Sequence, residues 1–219
     1  ASEAPVPAAV ALAEPRATFE PGDPHTRARR DGDDYVLDGE KCLIPLVEQC
    51  QLFLVVATAD DGPAAFIVEA DSAGLSRARQ DYMGLRSAEP GTLSLDGVRV
   101  PAAQRLAHFD LERLVSLSRI GLAALATGCC QAVLEQCVPY ALERKAFGEA
   151  IARRQSVAFM IADIGIEIEG MRLLTWRAAS RAEQGLPFQR EAYLAFLQSM
   201  EKAMRIATDG VQVFGGAGF

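Results

Sequence analysis

The chain of 219 residues is 50% hydrophobic, which is enough apolar material for one sizeable core or two smaller ones. Its formal net charge of -7 argues against a nucleic-acid groove or an anionic membrane surface as the main partner. No apolar run reaches the about 18 residues of a spanning helix, and the first residues lack the pattern of a signal peptide, so we expect no membrane span.

Short runs rich in β-branched and aromatic residues fill the first part of the chain, at 35–37, 52–57 and 64–68. Asp-Gly pairs lie between these runs and predict turns. The pattern predicts an antiparallel, barrel-like β-sheet domain over residues 1–105.

Glycine and proline become rarer after this point, and apolar residues recur at helical spacing in three long segments. The predicted helices run from about 109 to 144, from 155 to 185 and from 189 to 215. Their apolar stripes are wide, so we expect a fourth helix or another subunit to cover them. The predicted fold class is therefore α+β, with a helical domain of the four-helix-bundle type at 106–219. We expect this fold to be incomplete at both ends.

Cysteine usage indicates a reducing compartment. The chain has five cysteines, which are Cys42, Cys50, Cys129, Cys130 and Cys137. Three of them fall in one helical pattern, and the number is odd, which fits small buried side chains better than a disulfide framework. We therefore expect a cytoplasmic protein. With only two histidines and no Cys-x-x-Cys pair, we expect no metal site.

Several motifs lie on or between the predicted helices in a fixed order. They are Arg119, Tyr140-Ala141-Leu142-Glu143-Arg144-Lys145-Ala146-Phe147-Gly148, Gln155 and Gln212-Val213-Phe214-Gly215-Gly216-Ala217-Gly218-Phe219. No single motif identifies a family, but the ordered set resembles the acyl-CoA dehydrogenase family of flavoenzymes, and its pattern is most similar to the short-chain branch. The likeness runs from Ala11 to the last residue and covers the family's middle β domain and most of its C-terminal helical domain.

The resemblance implies an oxidoreductase of fatty acid metabolism that carries out the α,β-dehydrogenation of an acyl-CoA thioester, with hydride transfer to FAD. It also implies a homo- or hetero-tetramer and an electron-transfer flavoprotein as acceptor. The family's N-terminal helical domain and final helix have no counterpart in this sequence. We therefore expect that the sequence is not a complete, self-sufficient dehydrogenase.

Arg144 resembles the family arginine that meets the flavin pyrophosphate across a subunit interface, and Phe147 and Gln155 match the residues that accompany it. A pyrophosphate favours a permanently charged, planar fork of donors, which arginine supplies. The alternative is that Arg144 interacts only with a helix C-terminus or with Glu143 and Glu149.

Gln212, Gly215 and Gly216 resemble the family segment that lies along the flavin diphosphate and ribityl chain, where backbone without side chains permits close approach. A helix stop built from glycine is the alternative, and both can hold at once. Arg119 matches an arginine near the active site of many members, so we predict that it binds substrate.

The catalytic base is not identified in this sequence. In the short-chain branch the base lies after the Gly-Gly motif, where this sequence ends. Glu112 resembles the catalytic glutamate of other branches, but counting back from Arg144 places Ser118 at the matching position. We therefore interpret Glu112 as a solvated or interface carboxylate.

The β domain departs from the family pattern at three positions. Residues 11–15 resemble Ala-Leu-Ser/Thr-Glu-Pro, with Ala13 in place of the hydroxyl-bearing residue. Residues 39–46 occupy the slot of Gly-x-Lys-x-Trp-Ile-Thr-Asn, so Leu43 stands for the tryptophan near the flavin ring and Pro45 for the threonine that hydrogen-bonds it. Losing these donors would weaken this subunit's own hold on the isoalloxazine.

Two functional hypotheses follow from this mixture. The first is an FAD-dependent acyl-CoA dehydrogenase whose remaining parts lie outside this sequence. The second is a non-catalytic or flavin-completing subunit of a heteromeric acyl-CoA dehydrogenase, or a structural assembly partner. A third class, a non-flavin acyl-CoA-binding module, would keep Arg119 and leave Arg144 unused.

Overall fold

The protein is described by a computed structural model over residues 5–218, and its contacts divide the chain into two compact units. The first unit is Ala1–Leu111 and the second is Glu112–Phe219. The boundary predicted at residue 105 lies shortly before this division, on the segment that leads to the first long helix.

Seven strands form one curled, mixed sheet in the first unit. Their bounds are Ala8–Ala11 (β1), Arg27–Asp31 (β2), Asp34–Ile44 (β3), Leu52–Ala59 (β4), Gly62–Glu69 (β5), Leu75–Arg79 (β6) and Gly91–Pro101 (β7). The hydrogen-bonded order is β1-β4-β2-β3-β7-β6, with β5 on the other side of β4. The turn predicted at Asp31-Gly32, before the first run, joins β2 to β3, since Asp31 pairs with Asp34. The turn predicted at Asp38-Gly39 is wrong, because these residues lie inside β3, where the pairing with β7 shifts register instead.

Most neighbouring strands are antiparallel, as predicted, but β1 and β2 each pair with β4 in parallel. Ala8 pairs with Leu52, far along the chain, so no turn sequence signals this contact. The sheet curls until β5 meets the segment after β7, where the Leu106 N–H donates to the Ala65 carbonyl at 2.9 Å. This partial closure confirms the barrel-like prediction and encloses an apolar core that includes the fully buried Phe53.

Three long helices form the second unit, with bounds Leu111–Glu143 (α1), Gln155–Glu183 (α2) and Gln189–Phe214 (α3). A two-stranded hairpin, Lys145–Ala146 (β8) and Glu149–Ala150 (β9), joins α1 to α2. The helical domain and the α+β class are therefore confirmed. The helix stop predicted at Gly185 is also observed, because this glycine takes a φ of 68° directly after α2.

The helices pack around buried apolar side chains, but each also exposes apolar ones. The inner cluster joins Cys130, Ile164, Ile168, Met171 and Ile206. The exposed set includes Leu125 on α1, Phe159, Ile166, Leu173 and Trp176 on α2, and Leu197 and Met204 on α3. These outer faces agree with the prediction that the three helices need a further helix or another subunit to cover them.

Helix α1 is long and apolar enough to cross a membrane when judged by length and composition alone. The expectation that no apolar run is long enough to span a membrane is therefore wrong by length and composition. Most of the apolar stretch of α1 is exposed in this chain. The same test is passed by helices of helical bundles. The buried Ala123 and Cys130 on α1 pack with residues of α2 and α3, and we therefore assign α1 to the bundle.

Candidate cofactor-binding site

Arg144 follows the last turn of α1, where its backbone N–H donates to the Tyr140 carbonyl at 2.8 Å. Its side chain is exposed. Within residues 5–218 its guanidinium makes no hydrogen bond or ion pair, and Glu149 pairs instead with Arg154 at 3.3 Å. The alternative that Arg144 pairs with Glu143 or Glu149 is therefore not observed in the described residues. The alternative that it interacts with a helix C-terminus stays open, because Arg144 directly follows α1.

Arg144 lies in a cleft of about 390 Å³ at the ends of α1 and α3. The cleft is lined by Tyr140, Arg144, Ile151, Val213, Phe214, Gly215, Gly216 and Ala217. Three of the residues predicted to bind the cofactor, Arg144, Gly215 and Gly216, are thus brought together from positions about seventy residues apart in the sequence.

The end of α3 is held against α1 by one aromatic pair. The Tyr140 hydroxyl donates to the Phe214 carbonyl at 3.1 Å, and the two rings stack with centroids 4.3 Å apart. Gly215 then takes a φ of 58° and ends the helix, with its N–H directed to the carbonyls of Gln212 and Val211. This contact fixes the distance between the glycine segment and Arg144.

The glycine segment leaves room for a ligand. A Cβ atom added to Gly215 or Gly216 would meet no atom of the chain within 4 Å, so the backbone there faces open space. Both α1 and α3 end at this cleft, and helix C-termini carry partial negative charge. Because the helix dipoles disfavour an anion, Arg144 is the group that makes the cleft suitable for one. An open backbone beside one unpaired guanidinium fits a diphosphate.

Phe147 is displayed at the tip of the β8–β9 hairpin rather than in the cleft. Phe147 and Gly148 have φ of 54° and 88°, as the two central residues of a type I′ turn require. The ring is 95% exposed, and its contact is the Arg154 guanidinium, 5.7 Å from the ring centroid. An exposed phenyl ring on a tight hairpin is well placed to meet another molecule, but it does not line the cleft.

Gln155 and Gln212 also lie outside the cleft lining. Gln155 is the first residue of α2, and both side chains are exposed. Of the six residues predicted to bind the cofactor, the structure therefore gathers Arg144 and the two glycines, and it presents the other three on the surface of the same unit. Their roles remain predictions.

Arg119, predicted to bind substrate, packs between helices in the structure. Its guanidinium lies 4.9 Å from the ring centroid of Tyr193, so the pair joins α1 to α3. Ser118, one residue before it, donates its hydroxyl to the Leu114 carbonyl at 2.9 Å. Glu112 is exposed in the first turn of α1, as expected for a solvated carboxylate. The substrate role of Arg119 stays a prediction.

In the first unit, two of the three substituted positions lie side by side. The Cys42 N–H donates to the Ala13 carbonyl at 2.9 Å, which ties the segment before β2 to strand β3. Leu43 follows in a β-bulge, with a φ of 56°, and is 57% exposed. Pro45 is exposed as well. The side chains at positions 13, 43 and 45 thus offer neither a hydroxyl nor an indole N–H.

Beneath this surface lies a buried ion pair that the sequence did not reveal as important. The Lys41 ammonium donates to the Glu14 carboxylate at 2.8 Å, and the lysine side chain is 0% exposed. The backbone N–H groups of His25 and Thr26 and the Thr26 hydroxyl also donate to Glu14. The sequence signal was that both residues match the family motifs, Glu14 in the motif at 11–15 and Lys41 in the motif at 39–46, but neither motif indicated that the two side chains meet.

Burial and hydrogen bonding shift the pKa of each group in this pair in opposite directions. Burial alone would raise the pKa of Glu14, but the hydrogen bonds from Lys41, Thr26 and His25 outweigh it and lower that pKa to about 2. Burial also lowers the pKa of Lys41, and the hydrogen bond to Glu14 opposes the change.

Among residues 5–218, no cluster of side chains could hold a metal ion.

The curled sheet followed by a helical bundle defines the class of fold, and family models identify it further. The model of the acyl-CoA dehydrogenase C-terminal domain matches residues 110–219, and that of the acyl-CoA dehydrogenase middle domain matches residues 9–98. The chain therefore belongs to the acyl-CoA dehydrogenase family.

Curated relatives agree with this assignment. A probable acyl-CoA dehydrogenase, YngJ of Bacillus subtilis, is 36% identical over 95% of this chain and 58% of its own length. The mitochondrial short-chain specific acyl-CoA dehydrogenase of Bos taurus is 34% identical over 95% of this chain and 53% of its own. CarC of Acetobacterium woodii, a subunit of a caffeyl-CoA reductase-Etf complex, is 33% identical over 96% of this chain and 59% of its own. The chain thus spans just over half the length of these relatives.

Solved structures share the fold closely. Butyryl-CoA dehydrogenase from Megasphaera elsdenii superposes with a TM-score of 0.89 at 32% identity, over 97% of this chain and 58% of that one. A Tcur3481-Tcur3483 steroid ACAD superposes with a TM-score of 0.89 at 32% identity, over 96% of this chain and 57% of that one. Glutaryl-CoA dehydrogenase of Mycobacterium smegmatis in complex with FADH2 superposes with a TM-score of 0.90 at 26% identity, over 97% of this chain and 56% of that one.

Proposed function

We propose that this protein acts as an acyl-CoA dehydrogenase of the flavin-dependent type, an oxidoreductase of fatty acid metabolism. The observation that supports it most is the cleft in which an unpaired Arg144 faces open backbone at Gly215 and Gly216. Relatives named for this activity, and a structural neighbour solved with FADH2, support FAD as the cofactor.

In this proposal the chain's residues hold the diphosphate part of FAD. Arg144 donates to its oxygens, and Gly215 and Gly216 let the ligand approach the backbone. By resemblance to the family, the flavin held there belongs to a neighbouring subunit. When bound, FAD would supply the acceptor for the hydride that leaves the β-carbon of an acyl-CoA thioester, while a carboxylate would take the α-proton. We assign no residue of this chain as that carboxylate.

The proposal includes a neighbouring subunit. The exposed apolar faces of the three helices favour a homo- or hetero-tetramer over a free chain. An electron-transfer flavoprotein is the proposed electron acceptor, supported by the relative CarC, which is named as part of an Etf complex. The five free cysteines support a reducing, cytoplasmic location.

A second candidate function is a flavin-completing subunit of a heteromeric acyl-CoA dehydrogenase. Ala13, Leu43 and Pro45 favour it, because this chain would complete a neighbour's site while holding its own isoalloxazine poorly. The Tcur3481-Tcur3483 structure, whose name joins two components, makes such an assembly plausible for a fold of this kind.

An absorbance spectrum of the gently purified full-length protein, alone and with any co-purifying subunit, separates these functions. Flavin bands that bleach on adding acyl-CoA would support the dehydrogenase. Flavin that is present only in a mixed complex would support the completing subunit. A lack of flavin in both samples would contradict both and leave an acyl-CoA-binding module or a structural role.

A further inference from the structure

The buried Glu14–Lys41 pair joins two segments that are distant in the sequence. Lys41 lies on β3, and its ammonium reaches the Glu14 carboxylate at 2.8 Å and the Leu12 carbonyl at 3.4 Å. The adjacent Cys42 N–H donates to the Ala13 carbonyl at 2.9 Å. Residues 12–14 are therefore attached to β3 by one backbone hydrogen bond and one charged side chain.

Glu14 is held on its other side by the start of β2. Its two carboxylate oxygens accept the N–H groups of His25 and Thr26 at 2.8 and 2.9 Å, and one also accepts the Thr26 hydroxyl at 2.8 Å. Gly39 makes room for this contact, because a Cβ atom there would lie 2.7 Å from the Thr26 hydroxyl oxygen. Glu14 has four donors and thus one defined position.

Lys41 also fixes the register of the bulge that follows it. The β3–β7 pairing shifts between Lys41 and Ile44, and both of these side chains are fully buried while Leu43 is 57% exposed. In a regular strand Leu43 would face the same side as Lys41. Since a buried ammonium cannot leave its carboxylate without a large cost, Lys41 holds the strand at the residue where the bulge begins.

We propose that Glu14 and Lys41 are positioning residues that set the half-buried Ala13 and the exposed Leu43 at fixed places in the β unit. These places correspond to the motif positions that face flavin in the family, so the inference rests on the proposed function for its ligand. The pair would hold Ala13 and Leu43 in these positions whether or not a ligand is bound.

The test compares backbone hydrogen exchange and FAD affinity in the full-length protein with the neutral double variant E14Q/K41M. The Gln retains one acceptor oxygen, which can replace the Glu14 oxygen that Thr26 contacts, while the acceptor for the His25 N–H and the charged link to β3 are lost. We expect the Cys42 amide to exchange at least tenfold faster, with little change at Val55 in the centre of β4, and FAD to bind about tenfold more weakly. The matched control is E167Q/K202M, which neutralises a 2.7 Å pair between α2 and α3.

A second variant keeps the test decisive if the double variant does not fold. T26V is close in shape and removes one donor to Glu14, so we expect a smaller, about threefold, acceleration at Cys42. Unchanged exchange at Cys42, or equal acceleration at Cys42 and Val55, would overturn the proposal, because either result indicates general stability rather than positioning. If the wild type binds no FAD, the proposed function fails, and the exchange data still decide whether the pair positions Ala13 and Leu43.

Discussion

The two units of this chain differ at the positions that are proposed to meet a flavin. The helical unit keeps a charged, open cleft, with Arg144 unpaired beside Gly215 and Gly216. The β unit keeps the buried framework of its motifs, Glu14 and Lys41, but its surface carries Ala13 and Leu43 where donors are expected. One motif thus combines a buried ion pair that holds the fold with surface side chains that lack the expected hydrogen-bond donors.

Removing the charge of Arg144 is the strongest test of this contrast. The R144Q variant is expected to lose FAD affinity by about a thousandfold, or about 4 kcal/mol, since the diphosphate would lose a charged donor in a cleft formed by two helix C-termini. Equilibrium titration measures this. R177Q, which changes an exposed arginine that pairs with Glu191 at 3.6 Å, is the control and should bind FAD normally. Equal losses in both variants would contradict the assignment.

Acid should affect the β unit through its buried pair. Hydrogen bonds hold the pKa of Glu14 in the folded protein at about 2, below its ordinary value of 4.5, so the stabilisation from this pair is complete above pH 4.5 and is lost as pH falls toward 2. The loss is about 3 kcal/mol for this shift. Chemical denaturation of wild type and E14Q between pH 2 and 6 measures it. The wild type should lose more stability than E14Q, and parallel curves would contradict the account.

Filling the open space at the glycine segment should reduce binding without harming the fold. A Cβ atom at position 216 would have open space around it, so we expect G216V to melt at nearly the wild-type temperature. It should bind FAD at least tenfold more weakly, because the valine occupies the ligand's approach. A titration and a thermal melt of the same sample test this. Normal FAD binding by G216V would show that the ligand does not approach here.

Restoring donors to the β unit should narrow the contrast between the two units. The double variant A13T/L43W returns a hydroxyl and an indole N–H to a surface where Leu43 is already 57% exposed. We expect FAD affinity to rise by about fivefold, or about 1 kcal/mol, as for one new neutral hydrogen bond. Flavin fluorescence quenching measures the change. No gain would mean that the flavin ring does not meet this surface.

Local sequence signals predicted much of this fold. The start of α2 at Gln155 and the stop at Gly185 follow from helical periodicity and turn residues, and both are observed. The parallel contact of β1 with β4 was not predicted, because it joins Ala8 to Leu52 without a turn between them. Pairing across long sequence distances has no local signature.

The residues of the candidate site also fall into two groups, those that the sequence motifs indicated and those that they did not. Motif order singled out Arg144 and the glycine segment, and the structure places them in one cleft. It did not reveal the Glu14–Lys41 pair, since charged residues in strands are usually solvated and only tertiary packing buries them. It also could not show that Phe147 would extend from a hairpin tip, because that depends on the positive φ values of the turn.

If the Arg144 cleft binds the diphosphate of FAD, the protein should distinguish FAD from riboflavin, which lacks the diphosphate. The full-length protein in its natural assembly would be titrated with both ligands, as wild type and as R144Q. We expect the wild type to prefer FAD strongly and R144Q to lose most of this preference while its riboflavin affinity stays the same. An unchanged preference in R144Q, or an equal loss for both ligands, would contradict this role of the cleft.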